Sequence, residues 1–351
     1  MTAIRSGRSP SDNPRAWIAV LAFILIATSW AAVVLVPLDY VALAPGATFD
    51  VEKQISVAPE HDHPAKATVL SLTVRIRRRL SLVETLAGWR DTSVDIFHKH
   101  ELFGTESHAQ SVSRGRIEIA GAKSVASVVA LRRLGLPPLP RGLRVTYVPF
   151  EAPSAAMLKL NDVIMAVDGH ALCVGDDLAV ALRRKVAGDV VPVSLKDGRT
   201  VSIALTTFEG QVLLGVGVKA VDCSPPFRLD IETGTVLGPS GGLAMTLALL
   251  DRLSAGELLG RGPVAVTGTI DVSGRVGPIG GIRQKTIAAR RAGAKLFLVP
   301  TDEYALARRL AGPLRVIAVD SLDDALRALR AAGGDALPSV APAVTGEGQI
   351  R

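Results

Sequence analysis

Gly238-Pro239-Ser240-Gly241-Gly242 runs straight into Leu243-Ala244-Met245-Thr246-Leu247-Ala248-Leu249-Leu250. The second half of this stretch is apolar nearly all round, which predicts a buried helix. The first half sets a serine at the helix start. Free backbone N–H groups and the positive dipole end there can stabilise an oxyanion. Gly238 and Gly241 let a substrate backbone come close. A serine before a helix also reads as an ordinary N-cap, so Ser240 needs an activating base to be more than that. Gly238-x-Ser240-x-Gly242 fits the nucleophile elbow of hydrolases, which requires a later histidine. The last of the 6 histidines is His170, so the elbow reading fails on inventory.

A lysine can act as the base if burial lowers its pKa from about 10.4 toward about 7–8. Gly280-Gly281-Ile282-Arg283-Gln284-Lys285 offers one. On a helix starting near Gly281, with Ile282 at zero, Lys285 falls near roughly 300°. Ala288, Ala289 and Ala292 fall between roughly 240° and 340°, on the same arc. Arg283, Arg290 and Arg291 fall between roughly 80° and 180°, on the opposite side. The pattern predicts three arginines in water and one desolvated lysine, as a general base requires. A lysine lying over small alanines and snorkelling outward is the alternative.

The stretch from about Asp230 to Asp320 resembles the proteolytic domain of the Lon family of Ser-Lys peptidases. The matching pieces are Gly-Pro-Ser240-Gly-Gly, Val266-Thr267-Gly268-Thr-Ile-Asp, Gly274-Arg-Val-Gly-Pro-Ile-Gly-Gly281, Lys285 and Ala292-Gly-Ala-Lys-Leu-Phe-Leu-Val-Pro300. The resemblance implies Ser240 as nucleophile, Lys285 as base and Thr267 as a hydrogen-bonding neighbour of the lysine. Read alone, Thr267 passes as an ordinary β-branched strand residue. Two positions depart from the family pattern: Gly241 replaces the usual alanine, and Leu237 stands where an acidic residue is common. No Gly-x-x-x-x-Gly-Lys-Ser/Thr phosphate loop occurs in the chain, so the ATPase module of the family is missing. The whole chain resembles bacterial membrane-anchored proteins that join a PDZ domain to a Lon-type peptidase domain. Val36-Pro-Leu-Asp-Tyr-Val-Ala-Leu-Ala-Pro-Gly46 and the stretch through Leu86-Ala-Gly-Trp89 carry that wider likeness.

Length and charge set the rest of the frame. At 351 residues, two or three domains are expected. Trp17 to Val36 holds no charge and is mostly Ala, Ile, Leu and Val. A run of that length spans about one bilayer core, so a transmembrane anchor is expected over residues 16–38. Arg5, Arg8 and Arg15 precede it, and no Lys or Arg follows until Lys53. That asymmetry predicts a cytoplasmic N-terminus in a single-pass cell-membrane protein, with the catalytic domain outside the cytoplasm. A cleaved signal peptide ending at Ala42-Leu43-Ala44 competes, but the apolar run exceeds a usual signal core. The net charge of +7 is moderate, and Arg75-Ile-Arg77-Arg78-Arg79 lacks stacking aromatics, so no nucleic acid is expected. Cys173 and Cys223 are too few for a disulfide framework; an oxidising exterior would permit one bridge, but sequence alone does not show proximity, and two unpaired thiols are the favoured expectation. Neither they nor His98-Lys99-His100 makes a metal site, and no cofactor is expected.

The fold class expected is α+β multidomain: an N-terminal transmembrane helix, a β-rich PDZ-like domain and a mixed α/β Lon-type proteolytic domain. A tail over 1–15 precedes the anchor, and a mixed α/β region follows over 39–136. Within it Leu80–Trp89 and Ile117–Leu134 read as helices. Pro137, Pro138 and Pro140 then break the chain. The PDZ-like unit is expected over 137–207. Its strongest piece is Asp162-Val-Ile-Met-Ala-Val-Asp168-Gly169, with Asp197-Gly198 as a hairpin turn. The resemblance implies peptide capture by strand addition, although no Gly-Leu-Gly-Phe-type carboxylate loop is visible. The peptidase domain is expected over 208–331, with helices at 282–292, 302–311 and 322–331 alternating with strands at 296–300 and 315–319. An Ala-, Pro- and Gly-rich tail over 332–351 is expected to be disordered.

The expected function is an ATP-independent, membrane-anchored serine endopeptidase. Peptide or protein substrates are recruited or gated by the PDZ unit, and a homo-oligomer is compatible with the resemblance to ring formers. The rival is a non-catalytic membrane-tethered PDZ scaffold with a degenerate Lon-like domain.

Overall fold

A computed structural model of the chain describes residues 14–337 apart from 36, 64–65, 137, 139, 209, 222, 224 and 261. The expected C-terminal tail beyond residue 337 and the first 13 residues of the N-terminal tail lie outside the described residues. The chain forms two compact units, one of residues up to 45 with 75–106 and one of 46–74 with 107–351.

In the first unit, helix α1 (Pro14–Leu35) is followed by a strand whose Tyr40–Leu43 pairs antiparallel with Asp95–His98. Helix α2 (Leu82–Arg90) starts at a capping box in which Ser81 and Glu84 satisfy each other's backbone N–H groups. Helix α3 (Lys99–Phe103) ends where Phe103 receives the Arg78 guanidinium, 3.6 Å from the ring centroid. The expected transmembrane anchor is overturned. Among the described residues no helix is long and apolar enough to cross a membrane. The apolar run from Trp17 stops at Thr28, after eleven residues. That is about 16 Å of helix, roughly half the hydrocarbon thickness. Thr28 turns its hydroxyl back onto Ile24 O at 2.8 Å. With the anchor goes the expected single-pass topology and the placement of the catalytic domain across a membrane.

The second unit is built on a parallel sheet. Val264–Val266 lies between Val69–Ser71 and Leu296–Leu298, and Leu296–Pro300 pairs in turn with Arg315–Val319. The helices are α4 (His108–Arg133), α5 (Gly175–Leu182), α6 (Gly242–Leu253), α7 (Ile282–Arg291), α8 (Thr301–Leu310) and α9 (Leu322–Ala331). Strand residues alternate faces. Val264, Val266, Leu296 and Leu298 join the core formed with α4, α6 and α9. Ala265, Phe297 and Val299 join the core formed with α7 and α8. The sheet is thus covered on both faces, which explains its nearly continuous apolar strands.

A separate core, including Leu143, Val145, Ile164, Val191, Val193 and Ile203, closes a second, antiparallel sheet. Its path runs Gly217–Ala220, Leu143–Tyr147, Val163–Val167, Val190–Leu195, Thr200–Ala204. Asn161 and Asp168 take positive φ of 72° and 49° at the two ends of the central strand, where a short polar side chain tolerates the left-handed region. Two links join this sheet's helix to its surroundings. Asp177 of α5 accepts from Cys173 N and Val174 N and pairs with Arg132 of α4 at 2.8 Å. The expectation of unpaired thiols is corrected as well. Cys173 and Cys223 form a disulfide across Cα atoms 5.1 Å apart, because the fold brings together residues 50 positions distant.

Candidate active site

The covered sheet dictates where chemistry can happen: at the carboxyl ends of its strands, where elements from both faces meet. Thr267 follows the strand Val264–Val266, and its N–H donates to Leu298 O at 3.1 Å. Ser240 arrives from the α6 face and Lys285 from the α7 face.

Gly238 turns the chain into the serine loop with φ of 87°, a conformation that costs glycine nothing. Its N–H donates to Gly115 O of α4 at 3.0 Å. The Ser240 carbonyl accepts from Gly268 N–H at 3.0 Å and from Thr267 Oγ1 at 3.3 Å, which sews the loop to the strand end. Gly241 is the residue just before α6, with unstrained φ of −93°. A Cβ there would meet Ser71 Oγ at 3.3 Å, so the glycine answers a close neighbour and not a backbone need. Among the described hydrogen bonds, none uses the N–H of Ser240 or Gly241. Both donors stand at the N-terminus of α6, where negative charge is favoured.

Lys285 lies one turn into α7, with its N–H on Gly281 O at 3.0 Å. Its exposure is 2%, and Ala288 and Ala289 are buried beside it on the arc that the helical wheel predicts. Lys285 Nζ sits 2.8 Å from Ser240 Oγ and 3.1 Å from Thr267 Oγ1, donating to both when charged. Burial lowers its pKa from 10.5 to about 8, and Glu303 in the first turn of α8 opposes that shift. Both described side-chain partners are neutral hydroxyls, so neither holds the ammonium as a carboxylate would. At a pKa near 8 an appreciable fraction is neutral at neutral pH. Its lone pair can then accept the Ser240 proton across the same distance.

The structure thus gathers Ser240, Lys285, Thr267, Gly238 and Gly241 into one place. It adds groups that the sequence reading missed. Gly115 touches the loop from α4, and Glu118 Oε2 lies 3.9 Å from where a Gly238 Cβ would stand. The sequence signal was the capping pair Ser107-x-x-Gln110, which starts α4 at His108 and carries the helix as far back as these residues. A second missed element is Gly217–Ala220, which ends the antiparallel sheet beside α5. Its signal is Leu214-Gly215-Val216-Gly217-Val218, alternating apolar residues and glycines.

Comparison with known proteins agrees on the region. The family described as Lon protease (S16) C-terminal proteolytic domain matches residues 231–331. Lon protease 1 of Myxococcus xanthus is 42% identical over 94 residues, covering 26% of this chain and 11% of that protein. The Lon protease of Campylobacter concisus is 37% identical over 107 residues, covering 28% of this chain and 13% of that protein. The chain therefore spans little more than a tenth of the length of the curated relatives it matches. Among solved structures, the PDZ domain of an SdrC-like protein from Listeria monocytogenes is 27% identical with a TM-score of 0.21. It covers 22% of this chain and 86% of its own. A solution structure from Geobacillus thermodenitrificans is 29% identical with a TM-score of 0.20, covering 22% and 94%. Residues 231–331 carry a proteolytic domain of the Lon-type serine-peptidase kind.

Proposed function

We propose that the chain is a serine endopeptidase that works without ATP, with Ser240 as nucleophile and Lys285 as general base. The observation that carries this reading is the 2.8 Å approach of a buried lysine Nζ to Ser240 Oγ. Neutral Lys285 takes the Ser240 proton as Oγ attacks the substrate carbonyl carbon. The carbonyl oxygen becomes an oxyanion, held by the N–H groups of Ser240 and Gly241. The C–N bond then breaks, and protonated Lys285 returns its proton to the leaving amine. A water molecule next gives a proton to Lys285 and attacks the acyl carbon; the ester C–O bond breaks, Lys285 returns that proton to Ser240 Oγ, and the new carboxyl end is freed. Thr267, bonded to both Lys285 and the Ser240 carbonyl, holds the pair in register. Residues 1–351 hold no Gly-x-x-x-x-Gly-Lys-Ser/Thr phosphate loop, and the ATP-independent reading is tested by assaying without nucleotide.

The test is labelling by a fluorophosphonate probe together with cleavage of fluorescent casein. The wild-type protein is expected to do both without nucleotide, and Ser240→Ala neither. Failure of the folded wild-type protein to react with the probe would overturn the assignment.

The antiparallel sheet is read as the recruiting unit. Among the described residues, Gly217–Ala220 has a strand partner on one side only, and α5 lies beside it. An extended peptide can add to such an edge as a further strand. Deleting residues 141–220 is expected to spare a short peptide and to slow a folded substrate. Equal rates on both substrates would leave the unit without a recruiting role.

A further inference from the structure

The nucleophile loop is seated on a helix far outside the matched proteolytic segment. Gly115 in α4 is buried. Its carbonyl accepts the Gly238 N–H at 3.0 Å. A Cβ built on Gly115 would stand 2.9 Å from Leu237 Cβ and 3.6 Å from Leu237 Cγ and Cδ1. The 2.9 Å contact is to an atom fixed directly to the backbone, so rotating the leucine side chain cannot relieve it. Leu237 leads into Gly238, whose φ of 87° fixes the turn, then into the rigid ring of Pro239 and on to Ser240. One turn further along α4, Glu118 Oε2 closes on Gly238 from the same helix face. The helix surface and the loop therefore interlock at Leu237 and Gly238.

We infer that Gly115 is a positioning residue for Ser240, the missing side chain on α4 being what lets the serine loop reach Lys285. This rests on the Ser240–Lys285 reading above. A Cβ at position 115 must push Leu237 away by roughly half an ångström to regain ordinary contact. The serine three residues on has little slack to absorb that push, because its carbonyl is tied to Gly268 N–H and Thr267 Oγ1. Proton transfer needs Oγ and Nζ within hydrogen-bond reach. Misplacement of a reacting atom by even about an ångström can cost on the order of a hundredfold.

The experiment compares fluorophosphonate labelling of Ser240 in the wild-type full chain, Gly115→Ala, Leu237→Gly and the double variant, all well below their Tm. Gly115→Ala is expected to slow labelling by about tenfold to a hundredfold. The loss should fall on kinact and leave KI unchanged. The double variant removes the opposing Cβ and is expected to label at the rate of Leu237→Gly alone. Wild-type labelling by Gly115→Ala, or a loss that Leu237→Gly does not rescue, would overturn the inference. Should Gly115→Ala fail to fold, Leu237→Ile crowds the same contact from the loop side. It is expected to slow labelling likewise, and an undiminished rate would count against the seat. Should the wild-type protein not label at all, the peptidase reading falls by itself. The seat is then decided by a crystal structure of Gly115→Ala. Expected is separation of Ser240 Oγ from Lys285 Nζ beyond hydrogen-bond distance; an unchanged 2.8 Å would refute it.

Discussion

Helix α6 has a buried titratable group near each of its ends, and the two differ in what surrounds them. At its start lies Lys285, 2% exposed, with Ser240 and Thr267 hydroxyls within 3.1 Å of Nζ. Near its end lies Glu52, 6% exposed, with neither carboxyl oxygen hydrogen-bonded. Burial drives both groups toward their neutral forms, lowering Lys285 to about 8 and raising Glu52 to about 9. Asp251 on α6 adds to the second effect and is itself pushed up to about 6, mainly by burial. Arg252, the next residue, spends its guanidinium on Asp62 at 2.6 Å and reaches only the Glu52 backbone carbonyl. Desolvation alone makes a neutral group. A base also needs a proton donor within reach, and only the Lys285 end has one.

The comparison breaks most readily at the dyad. Ser240→Ala and Lys285→Met are each expected to lower casein cleavage by at least about a thousandfold while circular dichroism stays unchanged. Lys285→Arg should fail equally, because guanidinium does not give up its proton. Turnover near the wild-type rate in any of the three would remove the distinction between the two ends.

A pH profile sharpens it. The reactive form is neutral Lys285, so the rate should rise with pH around a midpoint near 8, well below the ordinary 10.5. That midpoint gives about a tenfold gain between pH 7 and pH 9. A midpoint above pH 10 would show that burial does not set the base.

Thr267→Val keeps the shape and deletes the hydroxyl that bridges Lys285 and the Ser240 carbonyl. The expected loss is about tenfold in kcat with KM little changed. An unaffected kcat would make Thr267 a strand residue and nothing more.

The smallest effect on activity is expected at the other end. Glu52 has a folded pKa raised above its unfolded value of 4.5, so its protonation favours the folded state. That contribution is fully present below about pH 4.5 and is lost as pH rises through about 9. Glu52→Gln removes it. The variant should lose less stability between pH 5 and pH 9 and gain on the order of 1–3 kcal/mol at the alkaline end, read by urea unfolding. Its casein cleavage should stay within about threefold of wild type, since burial without a reacting partner does no chemistry.

Much of the proteolytic segment was legible in advance. The expected helices at 282–292, 302–311 and 322–331 are observed at Ile282–Arg291, Thr301–Leu310 and Leu322–Ala331. Each carries a strong local period and a nearby stop, so local propensity and tertiary packing agree. Burial of Lys285 was legible because its arc holds alanines and the arginines stand opposite. The early region was harder to read. Helix α4 begins at a capping box among polar residues, where hydrophobic periodicity is weak, and its Gly115 carries no signal at all in sequence. The edge strand Gly217–Ala220 is four residues, Gly-Val-Lys-Ala, too short to stand out as a strand by itself. Trp17–Val36 misled because uncharged composition is only part of what a membrane span requires.

The sequence by itself determined the chemistry available. It excluded histidine as a base after position 170, supplied one lysine on an apolar arc, and set a serine between glycines at a helix start. Those are local facts, fixed by composition and by spacing of about 3.6 residues per turn. The tertiary structure decided which distant pieces meet. It brought Ser240 and Lys285, 45 positions apart, to 2.8 Å at one strand end. It closed the Cys173–Cys223 bridge and left Glu52 buried without a partner. It also laid Gly115 against a loop more than a hundred residues later in the chain. Such contacts arise from packing two helical layers on one sheet, where distances depend on every intervening side chain and no local pattern records them.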